Sequence, residues 1–226
     1  MRKIDKSYIL ATAYQAWIQK YDNKNKPHLV YSPSHPHYKA VLVSLLHCQK
    51  GLCAYTEILI ATEDRCDQNK FDARGKYIPG NKTVSGFAAQ LDHFDSRLKA
   101  EKGWSWDNFF AVSDKINVQK KDTAVDDILK PDTAAFDPYK LLAYDPDKHL
   151  FYASLYIEDE QIVERIENMI DVLGINYGTI VDNRNRYLSC IFNRLKLGVE
   201  ASDLEQDLYQ FFTAYEMGKA SLLNTN

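Results

Sequence analysis

Residues 87–95, Phe87-Ala88-Ala89-Gln90-Leu91-Asp92-His93-Phe94-Asp95, read as a short strand-like run that delivers an Asp-His pair. After a polar connection, Trp104-Ser105-Trp106-Asp107-Asn108-Phe109-Phe110-Ala111-Val112 predicts a second strand. Ser113 or Asp114 can cap a helix carrying Asn117, Lys120 and Lys121. Neighbouring side chains on an extended strand point to opposite faces, so Asp92 and His93 can take separate tasks. An imidazole with an ordinary pKa of about 6.5 is a proton acceptor at neutral pH. Carboxylate and amide oxygens suit a hard cation such as Mg²⁺, which keeps several of its waters and needs few protein ligands. Asp92 and Asn117 are therefore candidate metal ligands. Lys120, one helical turn beyond Asn117, is a candidate phosphate contact.

Outward from this platform the pattern turns helical. Residues 4–20 predict a first helix, ending in the polar stretch Asp22-Asn23-Lys24-Asn25-Lys26-Pro27. The prolines in Tyr31-Ser32-Pro33-Ser34-His35-Pro36-His37 exclude regular structure, and His35 and His37 read as plain loop histidines. From Tyr38, the residues Val41, Leu42, Leu45 and Leu46 recur at helical spacing and predict one buried face. Residues 64–86 are polar and aperiodic, a long surface loop. Ile162, Val163, Ile166, Met169, Ile170 and Leu173 predict another helix, stopped at Gly174. Ser202-Asp203-Leu204-Glu205 fits a capping box, with Leu204, Leu208, Phe211, Phe212 and Tyr215 as the apolar stripe behind it.

Composition narrows the function classes. The 226 residues are 45% apolar and 26% charged, an ordinary balance for a globular domain, and no apolar run approaches a membrane span. The charged start, Met1-Arg2-Lys3-Ile4-Asp5-Lys6, does not read as a secretory signal, and the expected location is cytoplasmic. Cys48, Cys53, Cys66 and Cys190 form no Cys-x-x-Cys pair, so neither a zinc knuckle nor a redox pair is expected. The net charge of −3 hides a polarity: residues 1–64 carry +3, residues 65–121 carry +4, and residues 122–226 carry −10. A polyanion can approach the front of the chain, whereas the rear repels it.

Asp92-His93, then Asn108, then Asn117-Val118-Gln119-Lys120, taken in order, resemble the HNH endonuclease motif of the ββα-metal type. The resemblance implies an H-N-N variant in which His93 is the general base, Asn108 organises the loop that orients it, and Asp92 and Asn117 hold Mg²⁺ or Mn²⁺. Lys120, Lys121, Arg97 and Lys115 are the candidate nucleic-acid contacts. Leu52-Cys53-Ala54-Tyr55-Thr56-Glu57 is similar to a Cys-x-Tyr-Cys-Glu element, and Asp171-Val172-Leu173-Gly174-Ile175-Asn176 with Ile180 and Arg184 to a Leu-Gly-Leu-Asn…Leu…Arg helix. Both belong to the PtuB-type nucleases of Septu and retron-associated antiphage defence. Coverage runs from about residue 38 to residue 184. The implied function is hydrolysis of phosphodiester bonds in DNA, with RNA as the alternative, in a hetero-oligomer with a PtuA-like ATPase and no membrane. A catalytically silent HNH-fold scaffold or regulatory subunit is the competing reading.

One departure matters. Members of this group often carry two zinc-binding Cys-x-x-Cys pairs, which fall here on Cys53…Thr56 and Ser113…Ile116. One thiolate cannot hold a closed four-ligand zinc site, so no structural zinc is expected, with packing by Ile116, Trp104 and Trp106 in its place. The expected architecture is α+β: an N-terminal helical region with a long loop (1–87), a ββα-metal HNH core (88–122) and a C-terminal helical region (123–226), forming one compact unit.

Overall fold

The computed structural model describes residues 1–62, 66–78 and 88–223. Phe87 and residues 64, 65 and 79–86 of the loop read from the sequence lie outside them. Helices dominate, with small two-stranded antiparallel sheets, a mixed α and β composition compatible with α+β. Where the sequence reading has one unit with boundaries at 87 and 122, the contacts divide the chain into two. The front unit comprises Ile4–Ala54 and Leu59–Val125; the rear unit comprises Met1–Lys3, Tyr55–Ile58 and Asp126–Asn226. Charge follows this division. The front unit holds 17 Lys and Arg against 12 Asp and Glu; the rear holds 11 against 19.

In the front unit, α1 spans Thr12–Asp22, so the helix expected over 4–20 starts late. The reason is a tether: the amides of Leu10 and Ala11 donate to Ser44 Oγ at 3.0 and 3.4 Å, which holds the preceding residues away from helical geometry. Ser44 lies on α2 (Tyr38–Cys48), whose residues Ala40 to Leu46 are all buried. The single apolar face read from the sequence is therefore too narrow. A helix apolar on most sides belongs inside.

Strands β1 (Ala89–His93) and β2 (Phe109–Ser113) pair antiparallel, with Ala89 opposite Ser113 and His93 opposite Phe109. The second strand begins later than expected because Trp106–Asn108 forms a 3-10 turn. The short helix α3 (Lys99–Lys102) lies in the connection between the strands. The other edge of β2 is covered at Ala111: its N–H donates to Gln49 Oε1 at 2.9 Å, and its carbonyl accepts from Gln49 Nε2 and the Ala54 amide. Covering an edge removes a template for stray pairing. Helix α4 (Asp114–Lys120) follows β2 directly and packs on both strands through the buried Ile116, while α2 packs on the same strands. The Ser113 hydroxyl does not cap α4; Asp114 Oδ1 accepts from the Lys115 amide at 2.8 Å instead.

The rear unit holds a hairpin the sequence reading does not contain. After α5 (Pro138–Leu141), β3 (Leu142–Asp145) pairs with β4 (Leu150–Ala153). Strands of four residues are too short for an alternating pattern to stand out. Helix α6 (Glu160–Val172) packs on β4; Asp159 caps its start, and Gly174, at φ +65°, ends it as expected. Helix α7 (Gly178–Lys196) supplies the buried Arg184. The capping box at Ser202 does not form: α8 (Ala201–Glu205) already contains Ser202, and α9 (Phe212–Leu223) is separate. The break falls at Phe211, at φ +57°, yet Leu204, Phe211 and Tyr215 of the expected stripe are buried. No helix among the described residues is long and apolar enough to cross a membrane.

Candidate functional site

Strand β1, helix α4 and the residue that follows it bring Asp92, His93, Asn117 and Lys121 to one cleft, while Asn108, Lys120, Arg97 and Lys115 lie outside its lining. The cleft has a volume of about 360 Å³ and is lined by Asp92, His93 and Asn117 together with Tyr31, Tyr38, Gln90, Ser96, Lys99, Lys121 and Asp122. His93 ends β1 and is 6% exposed. Its Nε2 lies 2.8 Å from the carbonyl oxygen of Gly103. A carbonyl only accepts, so Nε2 carries the proton and Nδ1 is the lone-pair nitrogen. Nδ1 has no hydrogen-bond partner among the described residues. Burial pushes the pKa of His93 down to about 4, against an opposing pull from the Gly103 carbonyl, so the ring is neutral at neutral pH. The ring is held by Tyr31, edge-on at 4.5 Å, and by Phe109 at 4.7 Å between centroids.

Gly103 can place its carbonyl there because it has no side chain. A Cβ at this position would stand 2.5 Å from the carbonyl oxygen of Lys99. Asn108 fixes the other end of the connection. Its Oδ1 accepts from the Asp95 amide at 2.8 Å, its Nδ2 donates to the Asp95 carbonyl at 2.9 Å, and its own carbonyl accepts from the Phe94 amide at 2.8 Å. The side chain thus acts as one more rung of the ladder between β1 and β2.

Asp92 faces the side of β1 opposite His93 and is 4% exposed. Lys120 Nζ lies 3.2 and 3.3 Å from its two carboxylate oxygens and donates to the His93 carbonyl at 2.8 Å. This differs from the expected phosphate contact: Lys120 is 2% exposed, and its charge is spent inside the protein, tying α4 to the end of β1. Arg97 is exposed, but its guanidinium forks onto Asp95 at 2.8 and 3.1 Å. Lys115 is exposed and outside the cleft lining. Of the four cations singled out, Lys121 alone lines the cleft, on a left-handed backbone (φ +51°, ψ −139°) that costs a side-chain-bearing residue about 1–3 kcal/mol.

Sequence reasoning missed Tyr31, Tyr38, Gln90, Ser96, Lys99 and Gly103. Tyr31 and Tyr38 come from the aperiodic proline stretch and its exit, where no local signal points to a distant strand. Burial pushes the Tyr31 hydroxyl above its ordinary value, keeping it a neutral phenol. Lys99 sits over the Tyr31 ring at 5.8 Å. His35 and His37 stand 4.9 Å from the Trp17 ring, and His35 stands 4.7 Å from the buried Trp104, so both belong to an aromatic wall.

Asp92 and Asn117 are the residues that could hold a divalent cation. Asn117 Nδ2 donates to Gln90 Oε1 at 2.8 Å, which leaves Asn117 Oδ1 as a free hard donor on the cleft. With the Asp92 carboxylate this is an oxygen pair of the kind a hydrated Mg²⁺ or Mn²⁺ takes. Among the described residues no group of three or more His, Cys, Asp or Glu is placed to hold a metal. At the positions where the resembled group carries its two zinc pairs, the buried Cys53 Sγ accepts from the Ser113 amide at 3.5 Å, and Ile116 is buried beside β2. No family model matches the chain, and no curated protein is similar enough to count as a match.

Proposed function

We propose that this protein is a metal-dependent endonuclease of the HNH type that hydrolyses phosphodiester bonds, most simply in DNA. The observation that carries the reading is His93: a neutral imidazole with Nε2 tied to a carbonyl and Nδ1 unpaired, on the cleft shared by Asp92 and Asn117. The net positive charge of the front unit and the hairpin-helix arrangement around the cleft support it. So does the contact between Cys53 and Ser113, which stand at one position of each zinc pair of the resembled group.

In this reading His93 Nδ1 takes a proton from the water that attacks phosphorus, a new P–O bond replaces the bond to the 3′ oxygen, and the departing 3′ oxygen takes its proton from solvent. The Gly103 carbonyl holds the ring and favours the imidazolium that forms. Lys121 and Lys99 contact the flanking phosphates without reading bases, so sequence preference is weak. Asp92 and Asn117 would hold the divalent cation, which would supply charge neutralisation for the transition state. Action as the effector of an antiphage complex with a PtuA-like ATPase belongs to the same proposal and rests on the motif resemblance.

One observation favours the silent scaffold. The Asp92 carboxylate already has an internal cation, Lys120, at 3.2 Å. Nicking of supercoiled plasmid in Mg²⁺ or Mn²⁺, with a chelator control and an RNA arm, separates the two readings. The nuclease reading expects chelator-sensitive cleavage that Asp92→Ala weakens; parent protein inert on every substrate, alone and with the ATPase, leaves the scaffold.

A further inference from the structure

Gln90 and Asp92 are two residues apart on β1, so their side chains leave the same face of the strand, roughly 6–7 Å apart. Helix α4 packs across that strand and brings Asn117 within reach of Gln90. Two amides facing each other can pair in either of two senses. If Gln90 donated, Asn117 Oδ1 would be consumed, and the Asn117 NH₂ group would stand toward the cleft and repel a cation. In the observed sense Asn117 donates Nδ2 to Gln90 Oε1 at 2.8 Å, and its carbonyl oxygen is left as a ligand. Partners of metal ligands fix which atom the metal meets.

We propose that Gln90 is a positioning residue for divalent-cation binding: its side-chain carbonyl orients the Asn117 amide so that Oδ1, not Nδ2, meets the ion beside Asp92. This rests on the nuclease reading, because it presumes that Asp92 and Asn117 bind a divalent cation. Gln90 is exposed and pairs through its backbone with Val112, so replacing its side chain leaves the hairpin intact. Gln90 acts through the Asn117 amide, so its effect falls on metal affinity and not on the rate at saturating metal.

The test is Mn²⁺ binding to the full chain without substrate, by calorimetry and by the loss of free-ion paramagnetic resonance signal. Gln90→Met, which lacks the acceptor, should weaken binding by about 10- to 100-fold. Gln90→Glu keeps an acceptor and should bind at least as tightly as the parent. In an Asn117→Ala background, Gln90→Met should change nothing further. Thermal melts of each variant check the fold. Parent-like affinity in Gln90→Met, equal losses in Met and Glu, or an undiminished effect without Asn117 would each overturn the inference and leave the nuclease reading standing. If the parent binds no Mn²⁺ that Asp92→Ala weakens, the nuclease reading fails and the inference falls with it.

Discussion

Each unit has an antiparallel hairpin with a buried histidine, at the end of β1 in one and in the turn before β4 in the other, and the two histidines are wired differently. His93 in the front unit has one nitrogen bonded and the other unpaired on a cleft. His149 ends the turn just before β4 in the rear unit, at φ +57°, and has both nitrogens engaged: Nδ1 with the Tyr144 hydroxyl at 2.7 Å and Nε2 with Ser189 Oγ at 3.1 Å. Ser189 donates to Asn185 Oδ1 at 2.6 Å, so the His149 Nε2 proton goes to Ser189 and Nδ1 accepts from Tyr144. Burial lowers both pKa values, so desolvation alone does not distinguish the two. The spare lone pair on the His93 ring does.

The sharpest break of that comparison is kinetic. On the nuclease reading, His93→Ala should reduce cleavage by about 10²- to 10⁴-fold, a loss that persists at temperatures where the variant remains folded. His149→Ala should leave cleavage near parental and cost about 1–3 kcal/mol of stability through the orphaned Tyr144 and Ser189. Rates and melts measured on both variants decide it; the reverse pattern would exchange their roles.

The buried cations extend the contrast. Lys120 is paired with a carboxylate, whereas Arg184 donates to the carbonyls of His149 at 2.6 Å and Ile175 at 2.7 Å and lies over the rings of Phe151 and Phe211. Lys120→Met removes the ammonium 3.2 Å from the buried Asp92 carboxylate and should cost about 3–5 kcal/mol in denaturant titration. Asp92→Asn in the same chain should recover much of that loss, since the carboxylate charge that Lys120 offsets is then gone. No recovery would show that Lys120 works through packing and the His93 carbonyl alone.

The smallest expected effect is on pH. Burial, and then Arg184, lowers the pKa of His149, while Asp145 and Asp147 raise it less. The unfolded chain binds the proton more readily, so stability is full above an unfolded pKa of about 6.5 and falls as pH drops below it. Melting curves between neutral and mildly acidic pH should show this slope in the parent and a shallower one in His149→Asn.

The reach of the sequence can be judged residue by residue. The nearness of Asp92, His93 and Asn117 on one cleft, with Asn108 bracing the connection, was legible because one short supersecondary unit carries them all, and spacing within such a unit fixes geometry. Lys120 carried the same positional information, but the sequence does not report that its ammonium turns inward. Tyr31, Lys99 and Gly103 were invisible for a different reason: what they do depends on contacts made by tertiary packing. In the rear unit, Asn176 and Arg184 were noticed only as parts of a helix motif. Their work is to close Phe151, through its N–H at 2.9 Å and carbonyl at 2.7 Å, and to hold the His149 carbonyl, so they brace the hairpin that went unread.

Gly103 carries a consequence for the mutability of the chain. It supplies no functional group, yet its backbone oxygen chooses which imidazole tautomer exists, and even a methyl group there collides with main chain. A saturation library scored for activity should therefore tolerate as little at this position as at the histidine itself. Scored for abundance alone, the histidine column should refill while the glycine column stays sparse.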